Sequence, residues 1–163
     1  MSTVEIERKF IVNGFPTGYE LLGEYKIYQI YKSTKPEIRC RCAVDVKGGH
    51  KYYIAYKGKG DIARREIEMH IPKVLYRLVE KMVRHRPIEK EYKRYKLEDG
   101  KVLEVSRVDR GFYYCEVEFN SKEEALNWDI PHGLKVIIDR EVTYDNSYKM
   151  KNYWVKTRIN NIR

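Results

Sequence analysis

At every second position along seven segments of this chain a charged or polar residue alternates with an apolar one, and that rhythm closes off most folds. The first segment is VEIERKF. In an extended strand Glu5, Glu7 and Lys9 point to one face while Val4, Ile6 and Phe10 point to the other. Arg39 and Arg41 share a face opposite Ile38, Cys40 and Cys42, and Tyr53, Ala55 and Lys57 alternate with Tyr52, Ile54 and Tyr56. Arg64, Glu66 and Glu68 alternate with Ile67 and Met69, and Lys90, Tyr92 and Arg94 share a further face. Glu104 and Ser106 stand opposite Leu103 and Val105, then Glu116 and Glu118 opposite Cys115, Val117 and Phe119.

One such strand is ordinary in an antiparallel sheet with one wet face. Seven of them carry Lys9, Arg39, Arg41, Lys57, Arg64, Lys90 and Arg94 against Glu5, Glu7, Glu66, Glu68, Glu104, Glu116 and Glu118, seven charges of each sign. About eight strands suffice to close a barrel whose interior holds side chains or one small ligand, and closure removes exposed edges. If the apolar faces pack outward against helices, the charged faces line the inside. Such a lumen is costly unless it stays wet and its charges are paired or hold a charged ligand.

Strands are expected near residues 3–12, 25–33, 36–46, 50–57, 63–71, 87–96, 101–109, 112–120 and 136–142, with turn residues between them. A helix starts at Pro72 and runs through Val83, with Leu75, Leu78 and Met82 as the stripe expected to pack on the barrel. Ser121 and Glu124 form a capping box before Ala125, Leu126 and Trp128, and a third helix follows Asp145 toward Trp154. The expected class is α+β, an eight-stranded antiparallel barrel with helices packed outside, in one domain over 1–163.

Of the 163 residues 42% are hydrophobic, enough for a packed core. No apolar run approaches the roughly 18 residues of a membrane span, and the charged N-terminus does not read as a secretory signal, so a cytoplasmic protein with no membrane partner is expected. Cys40, Cys42 and Cys115 include no CxxC pair, and His50, His70, His85 and His132 form no close ligand pair, so neither set suggests a zinc site. GlyLysGly at 58–60 lacks P-loop spacing and reads as a turn.

A net charge of +9 favours an anionic partner: nucleic acid, a membrane surface or a phosphorylated small molecule. Equal numbers of carboxylates on the basic faces disfavour stable nucleic-acid binding, because they repel an extended phosphate backbone. The same mixture suits a small polyanion with a divalent cation, Arg and Lys surrounding phosphates while carboxylates bind the metal through oxygen. A triphosphate with Mg²⁺ or Mn²⁺ fits both halves, and its hydrolysis needs positioning and charge neutralisation rather than a covalent nucleophile.

The segment EIERKF carries Glu-x-Glu-x-Lys and so resembles the triphosphate tunnel metalloenzymes, the CYTH superfamily. The later order strengthens the likeness: Arg39-x-Arg41, a strand ending in Lys57, Arg64 before Glu66-x-Glu68, Lys90, the Leu97-Glu98-Asp99-Gly100 turn, Glu116-x-Glu118, and Glu141-Val142-Thr143 before Asp145 and Tyr148. The resemblance implies that Lys9, Arg39, Arg41, Lys57 and Lys90 hold phosphates and that Glu5, Glu7, Glu116 and Glu118 hold Mg²⁺ or Mn²⁺. Glu5, Glu7 and Lys9 are the expected catalytic set. Arg64 and Arg94 are further candidates for substrate, with Glu66, Glu68, Glu104 and Asp145 in support. A lysine near the C-terminal helix, Lys149 or Lys151, would close over the phosphates.

Three positions depart from the family pattern. Tyr92 stands where relatives often carry arginine, Ser106 where an acidic residue is common, and the segment after Asp145 has Asn146 and Ser147 in place of an arginine. The family divides into inorganic, thiamine, nucleoside and RNA triphosphatases and class IV adenylyl cyclases. Only four residues precede Glu5, which leaves no room in this sequence for the His-Phe motif of the cyclases. An inorganic triphosphatase is the expected activity, with other triphosphate hydrolysis, cyclase activity and polyphosphate or RNA binding without catalysis as alternatives. The oligomeric state is not legible, and a homodimer is compatible with the sequence.

Overall fold

The computed structural model describes residues 2–161. Its strands are β1 (Ser2–Val12), β2 (Glu20–Thr34), β3 (Glu37–Asp45), β4 (His50–Lys57), β5 (Ala63–His70), β6 (Ile88–Lys96), β7 (Val102–Val108), β8 (Tyr113–Glu118) and β9 (Ile138–Glu141). The sheet runs β5-β4-β3-β2-β6-β7-β8-β1, and β5 pairs with β1 to close an antiparallel eight-stranded barrel. Closure uses β1 twice, because residues 2–6 pair with β5 on one edge while residues 7–12 pair with β8 on the other. The first edge then continues past β5 to pair with β9, which lies outside the eight.

The apolar faces do turn outward, where helices cover them in two clusters. Over β2, β3 and β4, α1 (Lys73–Val83) and α4 (Met150–Trp154) bury Ile30, Cys40, Tyr76, Val79 and Trp154. Over β1, β7 and β8, α2 (Lys122–Asn127) and α3 (His132–Lys135) bury Phe10, Leu103, Val105, Val117 and Leu134. All three cysteines are buried on these outer faces.

The helices hold three surprises. α1 packs through Tyr76 and Val79, and the stripe expected to do so stays outside: Leu78 and Met82 are 54% and 61% exposed. Helical spacing identifies two stripes about a quarter of a turn apart, and both are apolar here, so periodicity could not say which one the barrel takes. The Ser121 hydroxyl accepts from the Glu124 amide at 3.0 Å as expected, but Glu124 reaches back one residue further, to the Asn120 amide. The expected third helix is a 3₁₀ turn over Asn146–Tyr148, then α4, then a π-helical turn over Val155–Ile159, and α3 was not foreseen because it is one short turn.

Two turns bear on the site. Between β4 and β5, Gly60 adopts φ 141°, and a Cβ there would meet the Ala63 carbonyl oxygen at 2.1 Å, so only glycine fits. Between β7 and β8, Asp109 and Arg110 have φ values of 48° and 57°, a left-handed pair that β-hairpins favour but that non-glycine residues resist.

Candidate active site

The charged faces converge on one cavity inside the barrel. The candidate residues named from sequence line it except two: Lys151, which lies outside the lining and faces Glu37 at 3.8 Å, and Arg94, which sits nearer the other mouth and faces Glu104 at 3.7 Å. The sequence pattern placed Arg94 on the correct face, but distance along the axis removes it from this cavity.

Most of the lumen charges are paired. Lys57 meets Glu5 at 3.0 Å and Glu66 at 3.6 Å, while Arg39 spans Glu66 at 3.4 Å and Glu68 at 3.1 Å. Arg41 meets Glu68 at 3.0 Å, and Arg64 reaches Glu5 at 3.6 Å and Glu37 at 3.4 Å. Glu66 and Glu68 thus orient the basic residues. Glu37 was missed in the sequence, although it lies two positions before Arg39 and must share its face. It is 6% exposed and also faces Lys151 at 3.8 Å.

Two lysines differ. The Lys9 ammonium donates to the Tyr148 carbonyl oxygen at 2.7 Å and lies 4.1 Å from the Tyr114 ring centre, and the Lys90 ammonium donates to the Tyr114 hydroxyl at 2.7 Å. Neither has a carboxylate oxygen within 4.0 Å among the described residues. Burial lowers the pKa of Lys9 despite Glu116 and Glu7 nearby, and burial together with Arg39 holds Lys90 well below the ordinary lysine range. Desolvated ammonium groups held by neutral oxygens are poised for an anion.

Beside Lys9, on β1 and β8, the carboxylates crowd. Glu5, Glu7 and Glu118 each bring an oxygen within 4.8 Å of the others. Burial, then Glu116 and Glu5, push the Glu7 pKa well above the carboxylate range. Burial and the surrounding Glu104, Glu5, Glu66 and Glu116 raise Glu118 to about 7. Glu116, expected in the same cluster, adjoins it at Glu7 and differs in charge state: burial opposes its charge too, but Lys9, a hydrogen bond from Glu7 and then Lys57 and Lys90 hold its pKa low. The three-carboxylate donor set is all oxygen, which suits a hard divalent cation such as Mg²⁺ or Mn²⁺, and at Glu7 and Glu118 burial first and neighbouring carboxylates second disfavour the charged form.

Linkage turns these shifts into a prediction. A carboxyl whose folded pKa is raised contributes stability below its unfolded value, and that contribution is lost as pH rises through the folded value. Without metal the melting temperature should therefore fall between about pH 5 and pH 8, through the Glu118 value of about 7. Millimolar Mg²⁺ or Mn²⁺ should remove most of the fall, and a melt series in EDTA and in each metal checks it; equal slopes with and without metal would contradict the cluster's role.

The outer mouth is covered from the C-terminal side. Lys149 donates to the Gly60 carbonyl oxygen at 2.9 Å and meets Asp61 at 3.0 Å, tying the segment before α4 to the β4–β5 turn. Asp145 caps that segment by accepting from Ser147 rather than reaching across the lumen. Two departures noted in sequence prove to be neighbours, since Tyr92 and Ser106 are cross-strand partners on β6 and β7.

No protein-family model matches the chain. It is 32% identical over 154 residues to an inorganic triphosphatase of Nitrosomonas europaea, covering 90% of this chain and 94% of that protein. The chain belongs to the inorganic triphosphatase family. The crystal structure of the inorganic triphosphatase NE1496 superposes with a TM-score of 0.63 at 30% identity, over 91% of this chain and 93% of that one. A protein of Pyrococcus horikoshii, PH1819, shares the fold with a TM-score of 0.57 at 19% identity, over 75% of this chain and 82% of its own. In this triphosphatase frame the paired cations form the cavity wall, while Lys9 and Lys90 remain available to a ligand.

Proposed function

We propose that this chain hydrolyses inorganic triphosphate to phosphate and pyrophosphate inside its barrel, with Mg²⁺ or Mn²⁺ as cofactor. The observation that carries the reading is the pairing of two lumen lysines, half-buried Lys9 and buried Lys90, that have no carboxylate oxygen within 4.0 Å among the described residues, with the nearby cluster of Glu5, Glu7 and Glu118 in one cavity. A family relative named for this activity supports it.

Arg39, Arg41 and Lys57 would grip phosphate oxygens from the ion-paired wall, with Lys9 and Lys90 neutralising charge that develops on the scissile and leaving phosphates. Glu5, Glu7 and Glu118 would hold the metal, with Glu116 beside Glu7. Once bound, the metal supplies Lewis-acid activation of water and of phosphoryl oxygens. Water would be the nucleophile: no cysteine or histidine lines the cavity among the described residues, and burial raises the Tyr31, Tyr92 and Tyr114 phenols far above the range in which they would attack.

Phosphate release from tripolyphosphate, ATP and thiamine triphosphate, each with Mg²⁺, Mn²⁺ or EDTA and with products separated by chromatography, tests the reading. Rapid metal-dependent cleavage of tripolyphosphate with little of the others is expected. Cyclic AMP from ATP, or turnover unaffected by EDTA, would overturn it.

A further inference from the structure

We propose that Tyr92 closes the inner end of the substrate cavity and limits the length of the phosphate chain it accepts; this rests on the triphosphatase reading. The barrel contains a second cavity beyond the first. β4 runs from His50, beside the second, to Lys57 in the first, so the two lie at opposite ends of the barrel axis. Positions along β6 show the same order: Lys90 lines the first cavity, Arg94 the second, and Tyr92 between them lines both. Ile27, Arg41, Glu68 and Glu104 complete this shared waist.

The waist is built to refuse a phosphate. Glu68 and Glu104 present two carboxylates against one cation, Arg41, which Glu68 holds at 3.0 Å, so the charge around the waist is net negative. Tyr92 stands between the two cavities and lines both, its hydroxyl turned to Glu104 and its ring 6.1 Å from that of Tyr25 across β2 and β6. Beyond it the second cavity offers Lys51 and Arg94, so an extended polyanion would find cations there if the ring were absent. At the outer mouth the Lys149 tie to Gly60 and Asp61 restricts extension the other way. A chain longer than the cavity therefore has no easy direction in which to continue.

The test compares hydrolysis of linear tetrapolyphosphate and of longer linear polyphosphate with that of tripolyphosphate, in the wild type, Tyr92→Ala and Tyr92→Phe. The ratio of kcat/KM for long to short chains should rise about tenfold or more in Tyr92→Ala, the scale on which a steric pocket discriminates. It should stay near the wild-type value in Tyr92→Phe, which keeps the ring and loses only the hydroxyl. An unchanged ratio in a folded Tyr92→Ala protein, or an equal rise in Tyr92→Phe, would overturn the inference; Tyr92→Leu serves where the alanine variant does not fold. Calorimetric dissociation constants for the same chains read the length limit independently of turnover. A wild type that leaves tripolyphosphate intact yet binds short chains selectively would sink the hydrolase reading and leave the length limit standing.

Discussion

Lys9→Ala should lose about 10²- to 10³-fold in kcat/KM for tripolyphosphate, the range measured when one preorganised electrostatic partner of a transition state is removed. The barrel should remain folded, because among the described residues the Lys9 ammonium bonds the Tyr148 carbonyl oxygen, lies on the Tyr114 ring and has no carboxylate oxygen within 4.0 Å, although Glu116 loses the charge that most favours its ionised form. The strand itself stays anchored, with the Lys9 amide donating to Thr143 Oγ1 at 3.0 Å. Arg39→Ala would confound the two effects by taking one of two cations from each of Glu66 and Glu68, whereas no ion pair within 4.0 Å is broken at Lys9 among the described residues. Steady-state kinetics beside a thermal melt decide the matter. Full turnover in a folded Lys9→Ala protein would mean that β1 does not present its charged face to the substrate.

Arg158→Ala is expected to cost about 3–5 kcal/mol of stability, the usual result of breaking a buried ion pair from one side. Arg158 is 6% exposed, and its guanidinium grips Asp109 through two bonds of 2.6 and 2.9 Å. It also donates to the backbone oxygens of Arg86 and Pro87 at 3.1 and 2.8 Å. Asp109 is itself in the left-handed turn between β7 and β8, where it accepts from the Glu89 amide and the Tyr153 hydroxyl. Burial opposes the Asp109 charge, but the bonds from Arg158 and Tyr153 hold its pKa low. Removing the guanidinium leaves that carboxylate short of partners and frees a strained turn. Arg158→Lys should recover only part of the loss, since an ammonium cannot reproduce the two-pronged fork. Urea unfolding midpoints of the three proteins provide the comparison; a loss under about 1 kcal/mol, the scale of a surface pair, would show that Arg158 does not anchor the C-terminal segment.

Much of the site was legible because strand periodicity is rigid. Once Glu5, Glu7 and Lys9 are extended, they must share a face, and the same holds for Arg39 with Arg41 and Glu66 with Glu68. Glu37 obeys that rule and could have been included. Arg94 also obeys it and still falls outside the cavity, since alternation reports the face of a residue and not its depth along the axis. α1 shows the same limit for helices: two apolar stripes, Tyr76 with Val79 and Leu78 with Met82, fit the sequence equally, and only one meets the barrel.

The sequence by itself determined that charged faces recur on seven strands, that apolar faces oppose them, and which side chains those faces carry. Local backbone geometry is sufficient for that, because side-chain direction alternates whatever the strand pairs with. Tertiary structure alone decided which charges cancel and which remain available. Lys57 and Arg39 find carboxylates two strands away, on β1 and β5, Lys9 and Lys90 bond only neutral oxygens among the described residues, and Glu116 joins Glu7 at the margin of the cluster of Glu5, Glu7 and Glu118. Those outcomes depend on strand register and barrel closure, which bring residues from distant parts of the chain to within a few ångströms and which no single segment encodes.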